Sequence, residues 1–258
     1  MLSLTESVSL IVAIVIASIA CLWLLHRIWS TEERRKNNDL VGWQITVIGT
    51  TYAVIIGFML YAVWNNYQEA DANVEAEADA LVNTARAAQG LATPQRLEIQ
   101  SLALDYVNSV LTQEWPAMTA NQVSPLAVPI VEELWKRSTN AETHSTSQQT
   151  SLNHLLNELS TMTQHRRLRL SQAQSGIPSI LWTVLIVGAI FTILSACLFG
   201  SVDFRLHFIQ VFMLSLLVAL ILAAISDISR PFQGYVHVSP AGFHRARVTL
   251  ENMNQQGH

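Results

Sequence analysis

Six residues inside one apolar stretch, Thr46, Thr50, Ala53, Gly57, Tyr61 and Asn65, follow one another at steps of four, three, four, four and four. On a helix those steps keep them on one face, while Val47, Val54, Ile55 and Met59 occupy the others. A stripe of small, hydroxyl and amide side chains in an apolar helix has two uses. Small residues let helix backbones approach while hydroxyls bond across the contact; the same side chains suit the wall of a water-filled ion path. The residues alone leave both readings open.

Directly beyond the stripe come Glu69, Asp71, Glu75, Glu77 and Asp79, with neither glycine nor proline between Asn65 and Arg86. Alanine and other good helix formers fill this stretch, so one continuous helix is expected to carry the carboxylates away from the apolar run. They spread round that helix, and in a single chain they read as a solvated face. No DxDxDG loop accompanies them, so no calcium or other metal site is expected. Packing of several subunits round an axis would change their meaning: Glu69, Asp71 and Glu75 would repeat and form a cation-concentrating mouth. Enzyme chemistry has no support, because no nucleophile elbow, HExxH pair or glycine-rich phosphate loop occurs. Neither catalytic residues nor a cofactor is expected.

The elements that must position these residues follow from composition. Half of the 258 residues are hydrophobic and 13% are charged, a balance too apolar for a soluble domain of this length. Ser7 to Leu25, Trp43 to Trp64, Ile177 to Val202 and Leu206 to Ser226 contain no Asp, Glu, Lys or Arg. At 1.5 Å per residue each reaches roughly the 30 Å of a hydrocarbon core, which predicts four transmembrane helices. Trp43 and Trp64 bracket the second at the spacing of two interfacial aromatic belts. The chain thus divides into two spans (residues 1–66), a helical extramembrane domain continuing from the second (67–175), two more spans (176–229) and a tail (230–258).

The extramembrane block reads as all-α. Thr93-Pro94 gives an N-cap and a proline at the first helical position before apolar residues at steps of three and four; Ser124-Pro125 opens a second such segment and Thr146 a third. Arg166, Arg167 and Arg169 close the third and are expected to pair with the acidic helix, the alternative being contact with lipid phosphates. In the tail, Tyr235 to Val238 reads as a short extended piece and Ser239-Pro240 as the start of a short helix. Cys21 and Cys197 fall far apart inside apolar runs, so neither a CxxC pair nor a zinc site is expected, and both read as packing residues. A net charge of −4 without a broad basic patch excludes nucleic acid as a partner.

Seven stretches together resemble one family. They are Asn37 to Gly42, Glu77 to Leu81, Tyr106, Glu114 to Met118, Arg166 to Leu170, Pro178 to Trp182 and Pro231 to Gly234. In this order they look like the successive motifs of the bacterial bestrophin-like domain family of membrane proteins, and they cover nearly the whole chain. The resemblance implies a relation to bestrophins, which are oligomeric ion channels, pentameric where their architecture is known, with the second helix lining the pore. It would put the Thr46 to Asn65 stripe on the axis and make small inorganic ions the partners. Neither the aromatic neck motif nor the acidic calcium-clasp loop of bestrophins is found, so calcium gating and anion selectivity are not carried over. The alternative is a non-conducting membrane scaffold or sensor whose helical block binds a partner.

A multi-pass protein of the bacterial inner membrane is expected, with both termini and the helical block on one side. Arg27, Arg34, Arg35 and Lys36 follow the first span, and by the positive-inside rule this loop is cytoplasmic and the block lies outside. The resemblance to bestrophins implies the reverse.

Overall fold

The computed structural model describes residues 4–122, 124 and 127–256. All regular structure among them is helical: α1 Leu4–Ile28, α2 Thr31–Lys36, α3 Asn38–Ala87, α4 Thr93–Ser109, α5 Trp115–Thr119, α6 Val128–Thr139, α7 Thr146–Gln174, α8 Ser179–Leu198, α9 Phe204–Ile228 and α10 Ala241–Gln256. A 3-10 turn follows α3, and a π-helical turn, Val110–Glu114, joins α4 to α5. Two compact units result. One takes the chain up to Asn65 with Gly176–Ser229, the other Asn66–Ser175 with Arg230 onward. We call them the span unit and the bundle unit. Four helices, α1, α3, α8 and α9, are long and apolar enough to cross a membrane.

The span unit packs around Leu22, Tyr52, Leu185, Val211 and Ile225. Gly188 lets α3 seat on α8: a Cβ there would come within 2.5 Å of the Tyr52 ring, whose hydroxyl donates to the Leu185 carbonyl at 2.9 Å. Asn38 clasps the turn between α8 and α9, its Nδ2 donating to the Gly200 carbonyl and its Oδ1 accepting from the Gly200 N–H, at 2.9 and 2.8 Å. Arg34, in the basic segment after α1, is held inside the unit. It is 1% exposed and donates to the Cys197 carbonyl and to His26 Nδ1. One of the four charges counted for the positive-inside rule is therefore buried in protein. The cysteines are packing residues, as expected: Cys197 is buried in this core with Cys21 against it, and its Sγ lies 3.9 Å from the Ser18 carbonyl oxygen of α1.

In the bundle unit, Ala70, Val74 and Leu81 of α3 meet Ile99 and Val107 of α4, Leu155 and Leu159 of α7, and Phe243 and Leu250 of α10 in one core. The α4 cap shifts by one residue from its expected place: Ala92 is the extended capping residue, Thr93 begins the helix and no side chain caps it. Ser145 does cap α7, accepting from the Gln148 N–H. Helix α6 begins at Val128, after Ala127; Pro125, read as an opening signal, lies outside the described residues. Of the stretch read as extended, Tyr235 and Val236 lie in a bend and His237 and Val238 take no regular structure; Phe232 and Val238 fold inward and the Val238 N–H bonds the Pro231 carbonyl. Gly234 makes this bend possible with φ at 90°, a conformation that favours glycine.

Candidate functional site

In the span unit, Thr46, Thr50, Ala53, Gly57, Tyr61 and Asn65 are all exposed. Across the same helix Tyr52, Ile56 and Val63 are buried in the span core. The stripe therefore faces away from α1, α8 and α9. Tyr61 is 69% exposed, and a Cβ at Gly57, Gly49 or Gly42 would meet nothing within 4 Å. Gly42 and Gly49 extend the stripe at the same helical spacing, a continuation visible in the sequence but not read from it. In the most apolar 18-residue stretch of α3 only 11% of positions are buried, against 17% in α1 and 33% in each of α8 and α9. Of the four, α3 is the least covered by its own subunit, and Val47, Val54 and Phe58 beside the stripe are exposed as well.

In the bundle unit the carboxylates separate into two environments. Glu69, Asp71 and Asp79 are exposed, and Glu75 is half-buried. Glu75 pairs with Arg245 of α10, and its carboxylate lies against Gly242, where a Cβ would meet it at 3.0 Å. Glu77 is fully buried, which corrects its reading as part of a solvated face. Among the described residues no group of three or more His, Cys, Asp or Glu side chains is placed to hold a metal ion.

Glu77 belongs to a buried ionic network. Arg169 Nε and Nη2 grip its two oxygens at 2.7 and 2.8 Å, and Nη2 also reaches Glu114 Oε2 at 2.8 Å. Arg166 donates to the other Glu114 oxygen at 2.5 Å, and the Tyr106 hydroxyl donates to Glu77 Oε1 at 2.5 Å. Two guanidinium groups thus face two carboxylates, and the charge balances within the network. The π-helical turn ends on Glu114; its extra residue re-aims the chain, as such turns do at functional or strained positions. Arg169 also lies over the Phe243 ring at 5.5 Å, and Trp115 packs edge-on to Phe232 and Phe243. Gln233 donates to Asn121 and to the Met118 carbonyl.

The expected arginine pairing is met by Arg169, which reaches Glu77 of α3. Arg166 instead reaches Glu114, and Arg167 is exposed. The helical combs carry the signal for the network. Glu77 stands three residues after buried Val74 and four before buried Leu81; Arg166 and Arg169 continue the Leu155, Leu159, Met162 comb of α7 at steps of four and three. A charge on a core-facing comb signals a buried pair.

Burial, and next the adjacent Glu77 carboxylate, hold the Tyr106 phenol well above its ordinary value of 10. The folded state therefore favours the neutral hydroxyl. That contribution is complete below the unfolded pKa and is lost as pH rises through the higher folded one. We expect the stability advantage of the native protein over Tyr106→Phe to be level around neutrality and to shrink once pH climbs beyond about 10. Unfolding of the two proteins followed across that range checks this, and a pH-independent difference would refute it.

The family model of a bestrophin-like domain matches residues 12–243. Among solved structures, two variants of a bacterial bestrophin homologue from Klebsiella pneumoniae are similar to this chain. One superposes with TM-score 0.71 at 13% identity, covering 96% of this chain and 98% of that one. The other gives 0.65 at 15% identity over 97% and 100%. A crystal structure described as a membrane protein gives 0.70 at 13% identity over 97% and 99%. At these identities the likeness speaks for the fold. No curated protein matches the chain.

Proposed function

This chain belongs to the bestrophin-like family, and on that premise we propose that it is a homo-oligomeric ion channel of a bacterial membrane in which α3 of every subunit lines the ion path. One observation carries this reading. The small and polar stripe from Thr46 to Asn65 is exposed along its whole length, while the opposite face of α3 is buried in its own subunit. A stripe serving only the packing of one subunit's spans would be covered by α1, α8 or α9. Left open in the protomer, it suits an axis shared by several copies, where hydroxyl and amide groups replace part of an ion's hydration shell. Five copies would follow the bestrophin arrangement.

Cation preference is the finer part of the proposal. Helix α3 continues without a break from the stripe to Glu69 and Asp71, and both side chains are exposed. Repeated round an axis they raise the local concentration of cations. The Glu69→Gln, Asp71→Asn double variant is expected to move the reversal potential in a potassium chloride gradient toward the chloride potential. An unmoved value would remove these two carboxylates from the selectivity mechanism.

The scaffold reading requires the same stripe to be an oligomer contact without a path through it. It predicts intact oligomers that carry no ion under any gradient, with the bundle unit, proposed to lie outside the membrane, as the partner-binding part. Which side of the membrane that unit occupies is measured by protease access in oriented vesicles: the positive-inside count places it outside, the bestrophin arrangement inside.

A further inference from the structure

The chain has two cysteines, and the span unit brings them together. Cys197, in the last turn of α8, is fully buried. Its Sγ lies 3.9 Å from the Ser18 carbonyl oxygen of α1, and Cys21 stands one turn beyond Ser18 on the same face of α1. Cys21 is partly exposed. It forms part of the wall of an apolar groove of 560 Å³ between α1, α8 and α9, beside Ser18, Ile190, Ile193 and Leu222.

We propose that Cys21 and Cys197 are an oxidation site, at which an apolar hydroperoxide entering from the groove oxidises Cys21 and Cys197 completes a disulfide joining α1 to α8. In the first step the sulfur of Cys21 attacks the peroxide. The O–O and S–H bonds break, an S–O bond forms, and the thiol proton passes to the departing alkoxide, so that the hydroperoxide leaves reduced to its alcohol while Cys21 becomes a sulfenic acid. In the second step the sulfur of Cys197 attacks that of Cys21. The S–S bond forms, the S–O bond breaks, and the departing hydroxyl takes the Cys197 proton away as water. The roles follow from access, because the groove reaches Cys21 whereas Cys197 is sealed behind it. The choice of oxidant follows from the groove, whose apolar wall admits an alkyl or acyl hydroperoxide and offers little to a strongly hydrated one.

The test is to treat the full chain in lipid vesicles with cumene hydroperoxide, digest it without reduction and analyse the peptides by mass spectrometry. The expected product is a Cys21–Cys197 disulfide peptide within one subunit. In Cys197→Ser the sulfenic acid is expected to persist on Cys21 and be trapped by dimedone; in Cys21→Ser the remaining thiol stays reduced. Hydrogen peroxide at equal concentration is expected to give less of the disulfide. The proposal is overturned if both thiols stay reduced while N-ethylmaleimide labels Cys21, or if disulfides form only between subunits. Equal yields from the two peroxides would also refute entry through the groove.

Discussion

Arg169→Met is expected to destabilise the bundle unit by about 3–5 kcal/mol, the usual cost of removing one partner of a buried ion pair. The size follows from what is left behind. Arg169 grips both oxygens of Glu77 and one of Glu114, and all three side chains are fully buried. Without it the Glu77 carboxylate keeps one donor, the Tyr106 hydroxyl, and no countercharge; Glu114 keeps Arg166. Burial alone disfavours the guanidinium charge of Arg169, but Glu77, Tyr106 and Glu114 together more than offset this. Hydrogen exchange of the α7 amides measures the loss. Replacing Glu77 by glutamine in the same chain should restore part of the stability, because the stranded charge goes with it. A single variant costing less than about 1 kcal/mol, the range of a surface pair, would show that the network does not hold the unit together.

The four spans were legible because hydropathy and the absence of charge are local properties, and they survive whatever the rest of the chain does. Helices α4 and α7 were legible for a similar reason, through apolar residues at steps of three and four. The π-helical turn before Trp115 was not. No local pattern marks it, and its outcome is the inward aim of Glu114 toward arginines 52 and 55 residues away. Glu77 was misread because its neighbours in sequence are carboxylates, whereas its neighbours on the helix face, Val74 and Leu81, are core residues. Arg34 shows the same limit. Its position in a basic loop suggests exposure, but its burial depends on the carbonyl of Cys197 and the ring of His26, contributed by two other helices. The meeting of Cys21 with Cys197 is likewise a product of how α8 packs on α1. The stripe stood out in the sequence as a pattern with two meanings, and only its exposure in the folded subunit favours one of them.

Gly57→Leu is expected to abolish ion flux while leaving the subunit and its assembly intact. A side chain at Gly57 meets nothing within 4 Å in its own subunit, so the added leucine costs the protomer fold little. Projected from every copy toward a shared axis, the same side chains would fill a narrow path and present an apolar ring, and such constrictions close pores by dewetting. The measurement is flux from liposomes under a potassium chloride gradient, native protein beside Gly57→Leu, with the assembly of each checked by size. Native flux that disappears in the variant, at unchanged oligomer size, is the predicted result. Equal flux from the two proteins would contradict a path along α3.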